Sequence, residues 1–147
     1  MMRYSLLFPL LLAAATATPG HAGNTATSPR ANYILHCSGC HGMQGLGTVE
    51  GGIPGFPDSV GHIVGTEIGR TYVMHVPGVV ANSMTDAQIA EVMNYILDRW
   101  SENGAHFTAE EVTRRRAEPI GDLVAYRRQV VAELRKSGIE IATYPWP

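Results

Sequence analysis

The feature that most constrains this chain is the placement of its cysteines. The 147 residues contain two cysteines, and both lie in one short segment, Cys37-Ser38-Gly39-Cys40-His41. A disulfide between them would close a very short loop and would therefore add little stability to a fold. Because no other cysteine is available for a larger bridge, the pair is expected to carry out chemistry rather than to hold the fold together.

The spacing of these five residues is that of a haem-attachment motif, CxxCH. Two thiols at this separation can add to the two vinyl groups of one haem and form two thioethers. The histidine that follows is then held beneath the iron and supplies one axial nitrogen. The motif therefore predicts one covalent haem c, bound through Cys37 and Cys40, with His41 as the proximal iron ligand.

Two other kinds of site also use a Cys-x-x-Cys pair. A thioredoxin-type dithiol is expected within a βαβ unit, which this sequence does not indicate. A structural zinc site requires four ligands, whereas this chain offers the two cysteines and a distant histidine. Haem attachment is therefore the preferred interpretation of the motif.

The N-terminus has the pattern of a secretory signal peptide. Arg3 precedes an apolar run from Leu6 to Ala15, which is too short to span a bilayer as a helix. Gly20-His21-Ala22 then fits a small-x-small cleavage site, so residues 1–22 are expected to be removed. The sequence thus predicts export to the periplasm, and no later segment indicates a membrane span in the mature chain.

The charge of the chain excludes some classes of partner. The formal net charge is −2 at pH 7, so no basic field is available to recruit nucleic acid. Lys136 is the only lysine, which excludes a docking face ringed by lysines. The run Arg114-Arg115-Arg116 is expected to lie on a solvated helix face rather than to form a docking patch.

Helical patterns account for most of the chain after the signal peptide, and no segment indicates a strand. A short helix over 31–37 is expected to lead into the CxxCH motif. A glycine-rich loop over 42–60 follows it, and a further helix is expected within 65–74. The predicted fold class is therefore all-α.

The best-specified helix is expected over 86–99. Thr85 and Gln88 form a capping box there, and apolar residues then recur at helical spacing. Two more helices, capped by Thr108 and by Asp122, are expected after it. They would form a helical extension at the C-terminus.

The residues around the motif resemble those of class I c-type cytochromes, over the stretch from Ala31 to Trp100. The matching residues are Tyr33, the CxxCH motif, Gly45, Gly47 and the run Asn94-Tyr95-Ile96-Leu97. The resemblance implies a fold in which the first and last helices cross and one haem lies edge-on in the cleft that they frame.

The N-terminal pattern and the resemblance together divide the chain into three parts. These are a signal peptide (1–22), a cytochrome c haem domain (23–100) and a C-terminal helical extension (101–147). The apolar faces of the extension are expected to pack on the haem domain. Because the domain contains every element that the resemblance requires, a chain ending near Asn103 is expected still to attach haem.

In class I cytochromes a proline carbonyl in the loop after the motif orients the proximal histidine. Pro54 is the proline that the resemblance favours here, and Pro57 is the alternative. By the same resemblance the distal ligand is a methionine on the loop before the last helix.

Met74 is the expected distal ligand, because it leaves a loop long enough to cross the haem face. Met84 immediately precedes the helix cap, where it is expected to pack as a hydrophobic staple. Met84, His75 and His62 remain alternatives. Since the usual Met-Pro pairing is absent, an open sixth site also remains.

Together, the motif and the resemblance imply an electron carrier rather than an enzyme. It would pass single electrons between a periplasmic dehydrogenase or oxidase, or another cytochrome, and the respiratory chain. Two alternatives stay open: a haem enzyme or gas-binding sensor with an open or weakly held sixth iron site, and an assembly or docking subunit of a redox complex.

Overall fold

The computed structural model describes residues 27–102 and 105–141. The signal peptide predicted over 1–22 lies outside these ranges. Within them the chain is helical, and an isolated bridge between Thr48 and Ile53 is the only β pairing among the described residues. The predicted all-α class is confirmed.

The described helices are joined by loops of very different lengths. They are α1 (Pro29–His36), α2 (Ser38–His41), α3 (Val60–Val64), α4 (Glu67–Val73), α5 (Pro77–Val80), α6 (Asp86–Trp100), α7 (Ala109–Arg116) and α8 (Leu123–Lys136). The predicted helices correspond to α1, α4, α6, α7 and α8. The sequence did not indicate α2, α3 or α5, because helices of four or five residues are too short to show a periodic pattern.

Side-chain caps determine where the longer helices begin. The hydroxyl of Thr85 accepts from the backbone N–H of Gln88, and the Gln88 side chain accepts from the backbone N–H of Thr85 at 2.9 Å. The predicted capping box at the start of α6 is therefore present. Thr108 and Asp122 cap α7 and α8, also as predicted.

The helix that leads into the CxxCH motif packs against α6. Tyr33 of α1 is 1% exposed, and its ring centroid lies 5.6 Å from that of Tyr95 and 5.2 Å from that of Trp100. Aromatic pairs at such separations add about 0.5–1.5 kcal/mol beyond the area that they bury. The structure thus joins the two helices that the resemblance expects to meet.

The C-terminal extension contributes to the same hydrophobic core. Helix α7 packs against α6, and α8 packs against α4. Phe107, Val112, Val130 and Leu134 are each at most 3% exposed and belong to one cluster with the buried residues of α6. The expected packing of the extension on the haem domain is present. The division of the chain at residue 100 stays a prediction.

Buried charged groups also join the extension to α4. Nε and Nη2 of Arg70 donate to the two carboxylate oxygens of Glu111, both at 2.7 Å. Nε of Arg115 donates to Glu111 at 2.7 Å, and its Nη2 donates to Glu67 at the same distance. The hydrogen bond from Arg70 is the largest of the effects that lower the pKa of Glu111 to about 2.

This network corrects the expectation for the arginine run on α7. Arg115 is 3% exposed, because its guanidinium is inserted between α7 and α4. Arg114 pairs with Glu118 and Arg116 with Asp86. The prediction of a solvated face was therefore wrong for Arg115, whose carboxylate partners come from α4 and from its own helix.

Candidate cofactor site

The CxxCH motif forms a tight turn directly after α1. The backbone N–H groups of Cys40 and His41 donate to the carbonyl of Cys37 at 3.2 and 3.0 Å, and these residues form α2. Gly42 ends the turn with a φ of 72°, in the left-handed region that glycine adopts without strain. Two thiols and one imidazole are thereby presented on a single turn of chain.

An apolar cavity lies beside this turn. Its volume is about 260 Å³, and Cys37, Cys40 and His41 line part of its wall. The rest of the wall comes from the loop at 53–56, from α3, α4 and α6, from the segment 76–84 and from α8. No acidic side chain of the described residues lines it. The cavity therefore combines apolar walls with a short row of thiol and imidazole groups.

His41 is held in a partly buried and oriented position. Its ring stacks on Phe56, with the centroids 4.1 Å apart and the planes inclined by 17°. Burial lowers the pKa of His41, and the backbone carbonyl of Pro54 acts in the opposite direction. Among the described residues, no group forms a full hydrogen bond with the buried Nδ1. A neutral imidazole with an acceptor near Nδ1 leaves Nε2 available as a metal ligand.

Two glycines allow the loop after the motif to fold back onto it. The N–H of Gly47 donates to the carbonyl of His41 at 3.0 Å, and the N–H of Phe56 donates to the carbonyl of Gly45 at 2.7 Å. Gly47 has a φ of 69°, and a Cβ there would lie 2.1 Å from the carbonyl oxygen of Ile53. A side chain at this position would displace the segment that brings Pro54 to His41.

The thiol of Cys37 does not have the lowered pKa of a reactive dithiol. Both cysteines are free, and burial, followed by the charge of Cys40, raises the pKa of Cys37 to about 11. Redox-active Cys-x-x-Cys pairs instead have a lowered thiol pKa. Among the described residues, no group of three or more His, Cys, Asp or Glu side chains is arranged to hold a metal ion, so the structure gives the zinc alternative no support.

The four residues considered for the distal position lie in different environments. Met84 is 8% exposed and lines the cavity, whereas Met74 is fully buried and is not part of the lining. His75 directs Nδ1 to the carbonyl of Thr71 at 2.9 Å, and His62 is exposed; neither lines the cavity. Of the four, the structure brings only Met84 to the cavity that His41 lines.

The backbone around Met84 is fixed on both sides. Nδ2 of Asn82 donates to the carbonyls of Gly78 and Val79 at 2.7 and 2.9 Å, while its Oδ1 accepts from the N–H of Met84 at 2.8 Å. Thr85 then begins α6 at the next residue. The turn therefore holds Met84 in one backbone position at the edge of the cavity.

Sequence reasoning missed several residues of the cavity wall. Met93 was recognised only as part of the apolar face of α6, and Leu123 and Arg127 come from α8, in the extension. An arginine on an amphipathic helix is ordinarily assigned to solvent, yet Arg127 is 7% exposed. Only the packing of α8 on α4 brings this residue to the cavity.

Comparison with known proteins yields a distant similarity. The chain is 29% identical to cytochrome c-552 of Thermus thermophilus over an alignment of 138 residues, which covers 78% of this chain and 89% of that protein. No family model matches the chain, and no solved structure matches it significantly. With the helical structure, this similarity shows an all-α, cytochrome c-like fold and supports a c-type cytochrome.

Proposed function

We propose that this chain is a mono-haem c-type cytochrome that carries single electrons in the periplasm. The observation that carries the proposal is the cavity itself, since the CxxCH thiols, His41 and Met84 all line one apolar recess. These are the side chains that covalent attachment and two axial ligands require. The similarity to cytochrome c-552 supports the same class of protein.

Each residue of the motif then has a definite role. Cys37 and Cys40 would bind one haem through thioethers, and His41 would supply an axial nitrogen through Nε2. The carbonyl of Pro54, and the ring of Phe56 that stacks on one face of the imidazole, would hold His41 in its orientation. When bound, haem supplies one-electron chemistry through the ferrous and ferric states of its iron.

The apolar walls of the cavity exclude water from the cofactor. Val92 and Ile96 of α6 and Val60 of α3 line it and are each at most 3% exposed. A low-dielectric surrounding disfavours the additional positive charge of the ferric state and so raises the reduction potential. Exclusion of water also limits access of small molecules to the iron, which suits an electron carrier.

We assign the distal position to Met84 rather than to Met74. Met84 lies on the segment between α5 and α6, which is where the class I resemblance expects a ligand. Its backbone is fixed by Asn82 and by the cap of α6. Met74 instead fills the core, at 0% exposure and outside the cavity lining.

Replacing Met84 by Ala is expected to remove the sulfur-to-iron absorption band in the near-infrared spectrum of the oxidised protein. Met74→Ala is expected to keep the band and to lower the free energy of unfolding by about 2–5 kcal/mol, as for a buried methionine that leaves a cavity. Near-infrared spectra and thermal unfolding of both variants provide the measurement.

Met93→Ala is the matched control for this test, because Met93 lines the same cavity from α6. The sulfur-to-iron band of Met93→Ala should be unchanged. Loss of the band in Met74→Ala but not in Met84→Ala would restore the ligand expected from sequence. A wild-type protein without the band would favour a histidine ligand or the open sixth site of a gas sensor or haem enzyme.

The partner that we propose is another redox protein, namely a dehydrogenase, an oxidase or a further cytochrome. The predicted signal peptide supports a periplasmic location. None of the helices in the described ranges combines the length and the apolar character that a membrane crossing requires.

A further inference from the structure

A buried arginine of the extension lies where the cofactor cavity meets a second cavity. Arg127 of α8 is 7% exposed and lines both the apolar cavity beside the motif and an outer groove along α8. Tyr72 and Leu123 complete the wall that the two cavities share. Arg127 therefore lies in the wall between the apolar cavity and the outer groove along α8.

The electrostatic environment of Arg127 is unusual for a residue in the wall of an apolar cavity. Among the described residues, Arg127 is the only lysine or arginine that lines the inner cavity, and no aspartate or glutamate lines it. A guanidinium that faces an apolar cavity attracts an anion inside it more strongly than it would in water, because the local dielectric constant is low. The planar donor array of arginine matches a carboxylate, to which it can donate two parallel N–H bonds.

We propose that Arg127 binds a propionate carboxylate of the haem. This inference rests on the proposed function, because the haem carries the carboxylates in question. It assigns to α8 a direct part in the cofactor site, so that the extension holds the cofactor at the opposite end from the covalent CxxCH attachment.

A guanidinium at this position also acts on the redox equilibrium. A propionate charge near the iron favours the ferric state, which carries one more positive charge than the ferrous state. Pairing with Arg127 offsets that effect and so favours the ferrous state. Arg127 is therefore a positioning residue that raises the midpoint potential.

The test compares Arg127→Gln, Arg127→Lys and Arg128→Gln in the haem-loaded full chain. Arg128 is the neighbouring arginine, is exposed and lines only the outer groove. We expect Arg127→Gln to lower the midpoint potential and to shift the propionate bending bands in the resonance Raman spectrum. Arg127→Lys should recover part of the potential, and Arg128→Gln should match the wild type in both measurements.

The proposal is overturned if Arg127→Gln holds haem and keeps the potential and the propionate bands of the wild type. It is equally overturned if Arg127→Lys, which cannot donate two parallel N–H bonds, keeps the propionate bands unchanged. It is also overturned if Arg128→Gln shifts both as much as Arg127→Gln, since the effect would then be one of surface charge. A wild-type chain that carries no covalent haem would instead contradict the proposed function, so the two failures are distinguishable.

Discussion

A chain that ends at Glu102 is expected not to fold cooperatively and not to retain haem in full yield. Such a chain loses Phe107, Val112, Val130 and Leu134, each at most 3% exposed in the core. Burial of one such side chain contributes about 1.5–3 kcal/mol, so the four contribute about 6–12 kcal/mol. The entire free energy of unfolding of a domain is about 5–15 kcal/mol. Loss of the extension therefore removes an amount comparable to the whole stability.

Two further effects of the truncation also destabilise the fold and the cavity. Arg70 is 7% exposed, and the truncation removes Glu111, the carboxylate that accepts from its Nε and Nη2. The truncation also removes Leu123 and Arg127 from the wall of the cofactor cavity. The sequence led to the expectation that a chain ending near Asn103 still attaches haem, with reduced stability. The core contacts of the extension lead us to expect a larger loss.

Far-ultraviolet circular dichroism, thermal unfolding and the haem content per chain measure this effect. Two single substitutions on α8 separate core packing from helix propensity: Val130→Ala at a position with 0% exposure and Val124→Ala at one with 42%. The first should lower the unfolding temperature clearly and the second only slightly. A truncated chain that melts cooperatively with one haem would show that residue 100 is a true domain boundary.

Glu111→Gln is expected to destabilise the protein by about 3 kcal/mol. Removing one partner of a buried ion pair costs about 3–5 kcal/mol, and the 18% exposure of the Glu111 side chain favours the lower end. The substitution leaves two guanidiniums that are 8% and 3% exposed with less anionic charge between them. Glu133→Gln is the matched control, because its pair with Lys136 is exposed and contributes little.

The ionisation of Glu111 also makes the free energy of unfolding depend on pH. The pKa of Glu111 is lowered from 4.5 to about 2 in the folded chain, so its contribution is fully present above pH 4.5. That contribution is lost as the pH falls from 4.5 towards 2. Urea unfolding over this interval should show a steeper loss of stability in the wild type than in Glu111→Gln. Equal slopes would mean that Glu111 is not held in the ion pair.

Sequence patterns predicted the parts of the fold that depend on local interactions. The capping residues Thr85, Thr108 and Asp122 each act where expected, because a cap involves only residues within one helical turn. Arg115 and Arg127 were beyond such reasoning. Their burial depends on contacts of α7 and α8 with α4, between residues about 50 positions apart along the chain.

The residues of the candidate site also differ in whether local sequence or long-range packing determines their position. The CxxCH spacing is local, so the thiols and His41 could be proposed from the sequence alone, and the structure places all three on the wall of one cavity. Pro54 lines the same cavity, and its role towards His41 stays a prediction. The distal position could not be derived in this manner. Whether Met74 or Met84 reaches the cavity depends on how the segment after α4 turns, and Asn82 forms that turn through its own hydrogen bonds.

The most direct test of the central claim is the intact mass of the chain purified from cells with periplasmic haem-attachment machinery, followed by extraction with acidic acetone. We expect a chain that begins after Ala22 and is heavier than its polypeptide by one haem, with the colour remaining on the protein after extraction. Cys37→Ser should retain at most one thioether. A bare polypeptide mass, or colour that leaves with the solvent, would contradict the assignment as a c-type cytochrome.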